Sequence, residues 1–209
     1  MKKTKKLNDL TKIAHSGKGG TRHHGTVSTP IYHASTIIFE NVEELINSTK
    51  KNSSPLVTYG RKGTPTTFSI QDAIADLENA ESCIAVPSGL CAVTTTLLSL
   101  LASGDHLLMV DTVYSPVRDF CDNTLYKLGI ETTYYLPNEN IESLLRPNTK
   151  VIFLESPGSL TFEIQDIPYI TEIAQKNDIY TIIDNTWATP FYCKPLVYGV
   201  DVSIQSATK

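Results

Sequence analysis

Apolar residues in this chain recur with two different rhythms. From Phe68 to Asn79 the positions Phe68, Ile70, Ile74 and Leu77 fit a helix, and from Leu90 to Ala102 the residues Leu90, Val93, Leu97 and Leu101 fall on one helical face. Between them, Cys83 to Val86 is a short apolar run that reads as a strand, closed by a turn at Pro87-Ser88-Gly89. The alternation continues with strand His106 to Val110, helix Pro116 to Leu128, strand Glu131 to Tyr135, and a short helix from Ile141 to Leu145. Strand Val151 to Glu155, helix Pro168 to Gln175, strand Ile179 to Ile183 and a last strand near Val202 to Ile204 complete it. Strands separated by helices predict parallel βαβ units with right-handed crossovers, an open α/β sheet covered on both faces. Unbroken apolar runs such as Val151-Ile152-Phe153-Leu154 suit strands buried on both sides.

Residues 1–65 lack this rhythm and are rich in turn formers, among them Gly17, Gly19, Gly20, Gly25, Pro30, Ser53, Ser54, Pro55, Gly60, Gly63 and Pro65. They read as an extended arm with one short helix near Val42 to Ser48. A segment this long without its own core has to lie on something else, and a neighbouring subunit is the expected support. The organisation expected is therefore an arm, 1–65, and an α/β domain, 66–209.

Composition narrows the classes. With 41% apolar and 19% charged residues and a net charge of −4, the 209-residue chain is neither disordered by composition nor basic enough to favour nucleic acid. The one dense basic run, Lys2, Lys3, Lys5, Lys6 and Lys12, reads as a solvated terminus, and no apolar stretch follows it as a secretory signal requires. A charge-free window from Ser82 to Gly104 is long enough to span a bilayer, yet Pro87, Gly89 and Gly104 break it into a strand, a turn and a buried helix. Cys83, Cys91, Cys121 and Cys193 have no metal or disulfide spacing and read as buried thiols of a cytoplasmic protein. His15, His23, His24 and His33 have no accompanying carboxylate or cysteine cluster, so no metal site is expected.

In open α/β sheets, ligands bind beyond the carboxyl ends of the strands. Four segments stand there: Pro87-Ser88-Gly89, Asp111 to Tyr114, Glu155 to Gly158, and Asp184 to Trp187. Ser88-Gly89-Leu90 opens a helix, where free N–H groups can hold a phosphate, although the same residues make an ordinary turn and N-cap. Neither a Walker loop nor a GxGxxG fingerprint is present. Asp184 follows an apolar strand, where a carboxylate needs a cationic or hydrogen-bonding partner; a helix cap is the alternative. Tyr114 offers a flat aromatic face or simple packing. Lys209, flanked by Ser206 and Thr208, is an exposed lysine or, if desolvated, a nucleophile toward carbonyls.

Together these are the groups pyridoxal phosphate requires. Tyr59-Gly60-Arg61-Lys62-Gly63-Thr64-Pro65-Thr66, Pro87-Ser88-Gly89, Asp111-Thr112-Val113-Tyr114, Glu155-Ser156-Pro157-Gly158-Ser159, Asp184-Asn185-Thr186-Trp187-Ala188 and Ser206-Ala207-Thr208-Lys209 resemble, in order and spacing, the Cys/Met-metabolism family of pyridoxal-phosphate enzymes. The resemblance implies the large domain of an aspartate aminotransferase-like, fold-type-I enzyme, a mostly parallel sheet sandwiched by helices, with the family's C-terminal small domain absent from this sequence. It implies Lys209 as the Schiff-base lysine, Asp184 as partner of the pyridine nitrogen and Tyr114 as the stacking ring. Gly89, Leu90, Ser206 and Thr208 would hold the phosphate, and Tyr59 and Arg61 would reach the phosphate of the adjacent subunit of a homo-oligomer, a tetramer by resemblance. Three departures from the synthase and γ-lyase pattern, Gly158-Ser159-Leu160, Trp187 and Tyr114-Ser115-Pro116, resemble the β-lyase branch. That branch implies β-elimination of L-cystathionine to homocysteine, pyruvate and ammonia in methionine biosynthesis; a γ-lyase or γ-synthase, or a truncated noncatalytic remnant, are the alternatives.

Overall fold

The computed structural model describes residues 8–18, 23–48 and 57–209, in two compact units, Met1–Ala85 and Val86–Lys209. The basic run Lys2 to Lys6 and the turn formers at 19, 20 and 53–55 lie outside the described residues. Helix Pro65–Glu78, expected to open the α/β domain, groups with the arm in the first unit.

The first unit carries helices α1 (Asp9–His15), α2 (Val42–Ser48) and α3 (Pro65–Glu78). The second is as expected. The first went unpredicted because Leu10 and Ile13 are too few for a periodic signal, and the Asn8 side chain caps it by accepting the Leu10 N–H at 3.1 Å. Pro65 sets the start of α3 and Asn79, in the left-handed region, ends it. Among the described residues every buried apolar side chain of the core lies between Val93 and Ile204, so the first unit has no such core. The expected strand Cys83 to Val86 is absent: the segment pairs with no strand among the described residues, and Ile84 is 80% exposed.

The second unit opens with α4 (Gly89–Leu100), whose N-cap Ser88 accepts the Cys91 N–H through Oγ at 3.0 Å. Val93, Leu97 and Leu101 are buried as expected, whereas Leu90 is 37% exposed. Strand β1 (His106–Val110) follows, then α5 (Ser115–Phe120), continued by a π turn over Cys121–Leu125 and a 3-10 turn over Tyr126–Leu128 in place of one uniform helix. Next come β2 (Glu131–Tyr135), a 3-10 turn at Ile141–Leu144, β3 (Thr149–Glu155), α6 (Ile167–Lys176) and β4 (Tyr180–Asp184). A short helix α7 (Thr189–Tyr192), unpredicted, precedes β5 (Val202–Ile204).

All pairings are parallel, in the order β2-β1-β3-β4-β5. Successive strand residues face opposite sides, so the unbroken burial of β1 means that both of its faces are covered. Helix α6 presents Ile167, Ile170, Ile173 and Ala174 to the core on one face, and its N-cap Asp166 accepts the Tyr169 N–H at 3.1 Å. Because the chain leaves β1 for β2 and returns past it to β3, the connections diverge between β1 and β3, the point where such sheets open a crevice at their carboxyl ends. Of the cysteines only Cys121 is fully buried, where burial pushes its thiol up to about 12; Cys83, Cys91 and Cys193 are partly exposed, contrary to expectation. No helix among the described residues is long and apolar enough to cross a membrane, and the Ser82–Gly104 window holds only α4.

Candidate active site

The register of the sheet brings the polar residues together. Glu155 ends β3 directly beside Asp184 at the end of β4, and Asp184 pairs in turn with Ile204 of β5, two residues before Ser206. Desolvation pushes Asp184 upward from the ordinary carboxylate range; hydrogen bonds from Thr186 and the nearby positive charge of Lys209 pull against it. The Thr186 N–H donates to Asp184 Oδ1 at 2.9 Å, and the Thr186 hydroxyl accepts the Ser206 N–H at 2.7 Å. Thr186 thus couples Asp184 to the hydroxyl pair Ser206 and Thr208, whose oxygens are 3.1 Å apart. Sequence reasoning gave Thr186 no role.

Helix α4 begins against the same hydroxyls. A Cβ placed on Gly89 would stand 2.7 Å from the Ser206 Cβ and 2.9 Å from its Oγ, so only glycine lets the helix start approach this closely. The start of a twelve-residue helix thus lies against the Ser206 side chain with the Thr208 hydroxyl beside it, and helix-start N–H groups with two hydroxyls are the donor set a phosphate monoester takes. Leu90 follows directly. Lys209 is exposed, and its backbone N–H donates to the Ser206 carbonyl at 3.3 Å.

On the β1 side, Tyr114 is 47% exposed, so the packing alternative for its ring does not hold. Its N–H donates to Glu155 Oε2 at 2.8 Å. Arg118 Nη2 donates to both the backbone oxygen and Oδ1 of Asp111, at 2.7 and 2.6 Å, and its guanidinium carbon lies 3.8 Å from the centroid of the Tyr134 ring. The loop that carries Gly158-Ser159-Leu160 touches both the segment before Tyr114 and Trp187. Gly158 has no room for a side chain, since a Cβ would come within 2.5 Å of Thr112 Oγ1; Ser159 N–H donates to the Thr112 carbonyl at 2.8 Å; and Phe162 of the same loop stacks at a tilt on Trp187, centroids 5.5 Å apart. Tyr59 and Arg61 lie in the first unit, the guanidinium 5.4 Å from the tyrosine ring centroid. Among the described residues no group of three or more metal-ligating side chains occurs.

The model of the Cys/Met metabolism PLP-dependent enzyme family matches residues 10–209. The chain belongs to that family. It is 47% identical over 201 residues to a candidate cystathionine beta-lyase of Rhizobium johnstonii, covering 95% of this chain and 50% of the relative. It is 41% identical over 203 residues to the cystathionine beta-lyase of Escherichia coli, covering 95% and 51% respectively. Among solved structures, a candidate O-acetylhomoserine (thiol)-lyase of Campylobacter jejuni carrying pyridoxyl-lysine phosphate superposes with a TM-score of 0.89 at 31% identity, over 97% of this chain and 50% of that one. The chain therefore spans about half the length of the relatives it matches. The family's cofactor is pyridoxal phosphate, and the residues present fit it: a phosphate cradle that a Cβ at position 89 would fill, a desolvated carboxyl, and a lysine whose charge acts on that carboxyl.

Proposed function

We propose that this chain forms the cofactor-holding part of a carbon-sulfur β-lyase that converts L-cystathionine and water to homocysteine, pyruvate and ammonia. The observation that carries the reading is the convergence of the α4 start, Ser206, Asp184 and Lys209 at the carboxyl ends of β4 and β5. Gly89, Leu90, Ser206 and Thr208 would hold the phosphate, Asp184 would face the pyridine nitrogen, Tyr114 would stack on the ring, and Lys209 would carry the cofactor covalently. When bound, pyridoxal phosphate supplies a sink for the electrons released at Cα.

The residues supply the rest. Asp184, short of cationic compensation in its own surroundings, is stabilised as an anion by a positive group placed against it. The Lys209 amine, once released from its covalent role, is the base that takes the proton from Cα and can return one to the departing sulfur. The Tyr59 and Arg61 pair would reach the phosphate of an adjacent subunit in a homo-oligomer, the planar guanidinium taking two oxygens. That assignment gives the first unit, poor in buried apolar side chains, a support. Turnover of L-cystathionine with analysis of the keto acid tests the reading: pyruvate is expected, 2-oxobutyrate would mean γ-elimination, and neither acid from a chain holding the cofactor would mean a noncatalytic binder.

A further inference from the structure

The Tyr114 backbone is hydrogen-bonded at both its N–H and its carbonyl, and the acceptor of its N–H is a residue to which the reaction above gives no task. The loop after β1 is held at every step: Asp111 N–H donates to the Tyr135 carbonyl at 2.8 Å, Thr112 O accepts from Ser159, and Val113 N–H donates to Val110 O at 3.3 Å. Tyr114 O accepts the Val117 N–H at 2.9 Å, starting α5, while Tyr114 N–H goes to Glu155. Glu155 is itself fixed from below. Its N–H donates to Gln165 Oε1 at 3.2 Å; Gln165, 4% exposed, donates through Nε2 to the Tyr135 hydroxyl at 2.8 Å; and that hydroxyl donates to the Phe153 carbonyl at 3.2 Å. A chain of polar contacts thus runs from the buried core to the backbone of Tyr114, a half-exposed aromatic beyond the carboxyl end of β1.

We propose that Glu155 is a positioning residue: its carboxyl, held at the end of β3 beside Asp184, fixes the Tyr114 backbone and so sets where the aromatic ring meets the bound ligand. The meaning of that ring position rests on the reading of the site given above, whereas the anchoring itself does not. Burial lifts the Glu155 carboxyl to about 7, the Tyr114 N–H opposing this and the neighbouring Asp184 reinforcing it. Of the other charged groups around it, Arg118 is paired with Asp111, and Lys209 acts on Asp184. The strength of the Tyr114 anchor therefore changes with protonation near neutrality.

The test follows the Tyr114 backbone amide by NMR in the wild-type chain, Glu155→Gln and Glu155→Ala. In the wild type the amide shift is expected to titrate with a midpoint near 7. Glu155→Gln, which keeps an acceptor oxygen, should abolish that titration and retain protection from exchange. Glu155→Ala should speed exchange at Tyr114 by roughly ten- to a hundredfold while Leu108 and Phe153, inside the sheet, keep theirs. A Tyr114 amide that ignores pH in the wild type, or a loss of protection spread evenly over β1 and β3, would overturn the proposal. If Glu155→Ala does not fold, the Gln variant still decides it. With pyridoxal phosphate bound, Glu155→Ala should release it faster than Glu155→Gln; equal rates would break the link from the anchor to the site. The amide readout needs no cofactor, so a chain that takes up no pyridoxal phosphate sinks the functional reading and leaves this result standing.

Discussion

The two ends of one sheet treat their polar residues in opposite ways. At the amino end His106, 0% exposed, has both ring nitrogens bonded, to Thr149 Oγ1 at 2.8 Å and Thr133 Oγ1 at 2.9 Å. Arg146 donates to the same Thr133 hydroxyl at 2.9 Å and pairs with Glu131, and its backbone N–H reaches Thr149 at 2.8 Å. Burial, helped by Arg146, holds His106 down to about 4, so the ring is neutral and stitches three strands. At the carboxyl end Glu155 and Asp184 stand side by side, both pushed upward by desolvation, among hydroxyls, a lysine and a half-exposed tyrosine. One end closes its polar groups on each other. The other leaves charge demand that a ligand can meet, which is where a fold keeps chemistry at the cost of some stability.

Four perturbations separate these ends, taken from the largest effect to the smallest. Lys209→Ala should remove the covalently bound cofactor entirely, with no visible imine absorbance at saturating pyridoxal phosphate, and leave the denaturation midpoint of the chain unchanged. His106→Ala should do the reverse: it removes both ring hydrogen bonds, leaving the Thr149 and Thr133 hydroxyls only their bonds from Arg146, and opens a cavity, costing about 3 kcal/mol in urea denaturation with the carboxyl end intact. A loss below 1 kcal/mol would show that the amino-end network is dispensable.

The third perturbation is pH. The His106 contribution is fully present above its unfolded value of 6.5 and is lost as pH falls toward about 4. The Glu155 contribution, with a folded value raised from 4.5 to about 7, is fully present below 4.5 and is lost as pH rises through that window. Each is worth at most about 3 kcal/mol, less for Glu155 where solvent reaches it. The two slopes oppose each other in the wild type, so Glu155→Gln should uncover a steady loss of stability between pH 6.5 and about 4. A Glu155→Gln profile that matches the wild type would remove the contrast between the ends. Fourth and smallest, Gly89→Ala should weaken pyridoxal phosphate binding by roughly tenfold, about 1.4 kcal/mol, by forcing α4 away from Ser206. Unaltered affinity would mean that the close approach is not part of the cradle.

Strands β1 to β5 were legible because unbroken or alternating apolar runs and their turns are local properties; His106 to Val110 and Glu131 to Tyr135 match to the residue. Cys83 to Val86 has the same apolar look and is no strand, since strand formation needs a neighbour that local pattern does not reveal. The π turn at Cys121–Leu125 is likewise invisible to a helical repeat. At the site, Asp184 was found by asking why a carboxylate follows an apolar strand. The same question applied to Glu155, which ends β3 in the same way, would have singled it out; what the sequence hides is that its partner is a backbone N–H rather than a side chain. Thr186 was hidden for a similar reason, as its contacts with Asp184 and Ser206 depend on the register of β4 with β5.

On the proposed reading, Lys209 at the carboxyl end of this sheet carries pyridoxal phosphate. Incubating the chain with pyridoxal phosphate, reducing with borohydride and mapping the pyridoxyl group by peptide mass spectrometry tests it directly. The account predicts one label, on Lys209, formed at lower yield at limiting cofactor when Asp184 is replaced by alanine. No label, or label scattered over exposed lysines such as Lys127 and Lys176 in proportion to accessibility, would contradict it.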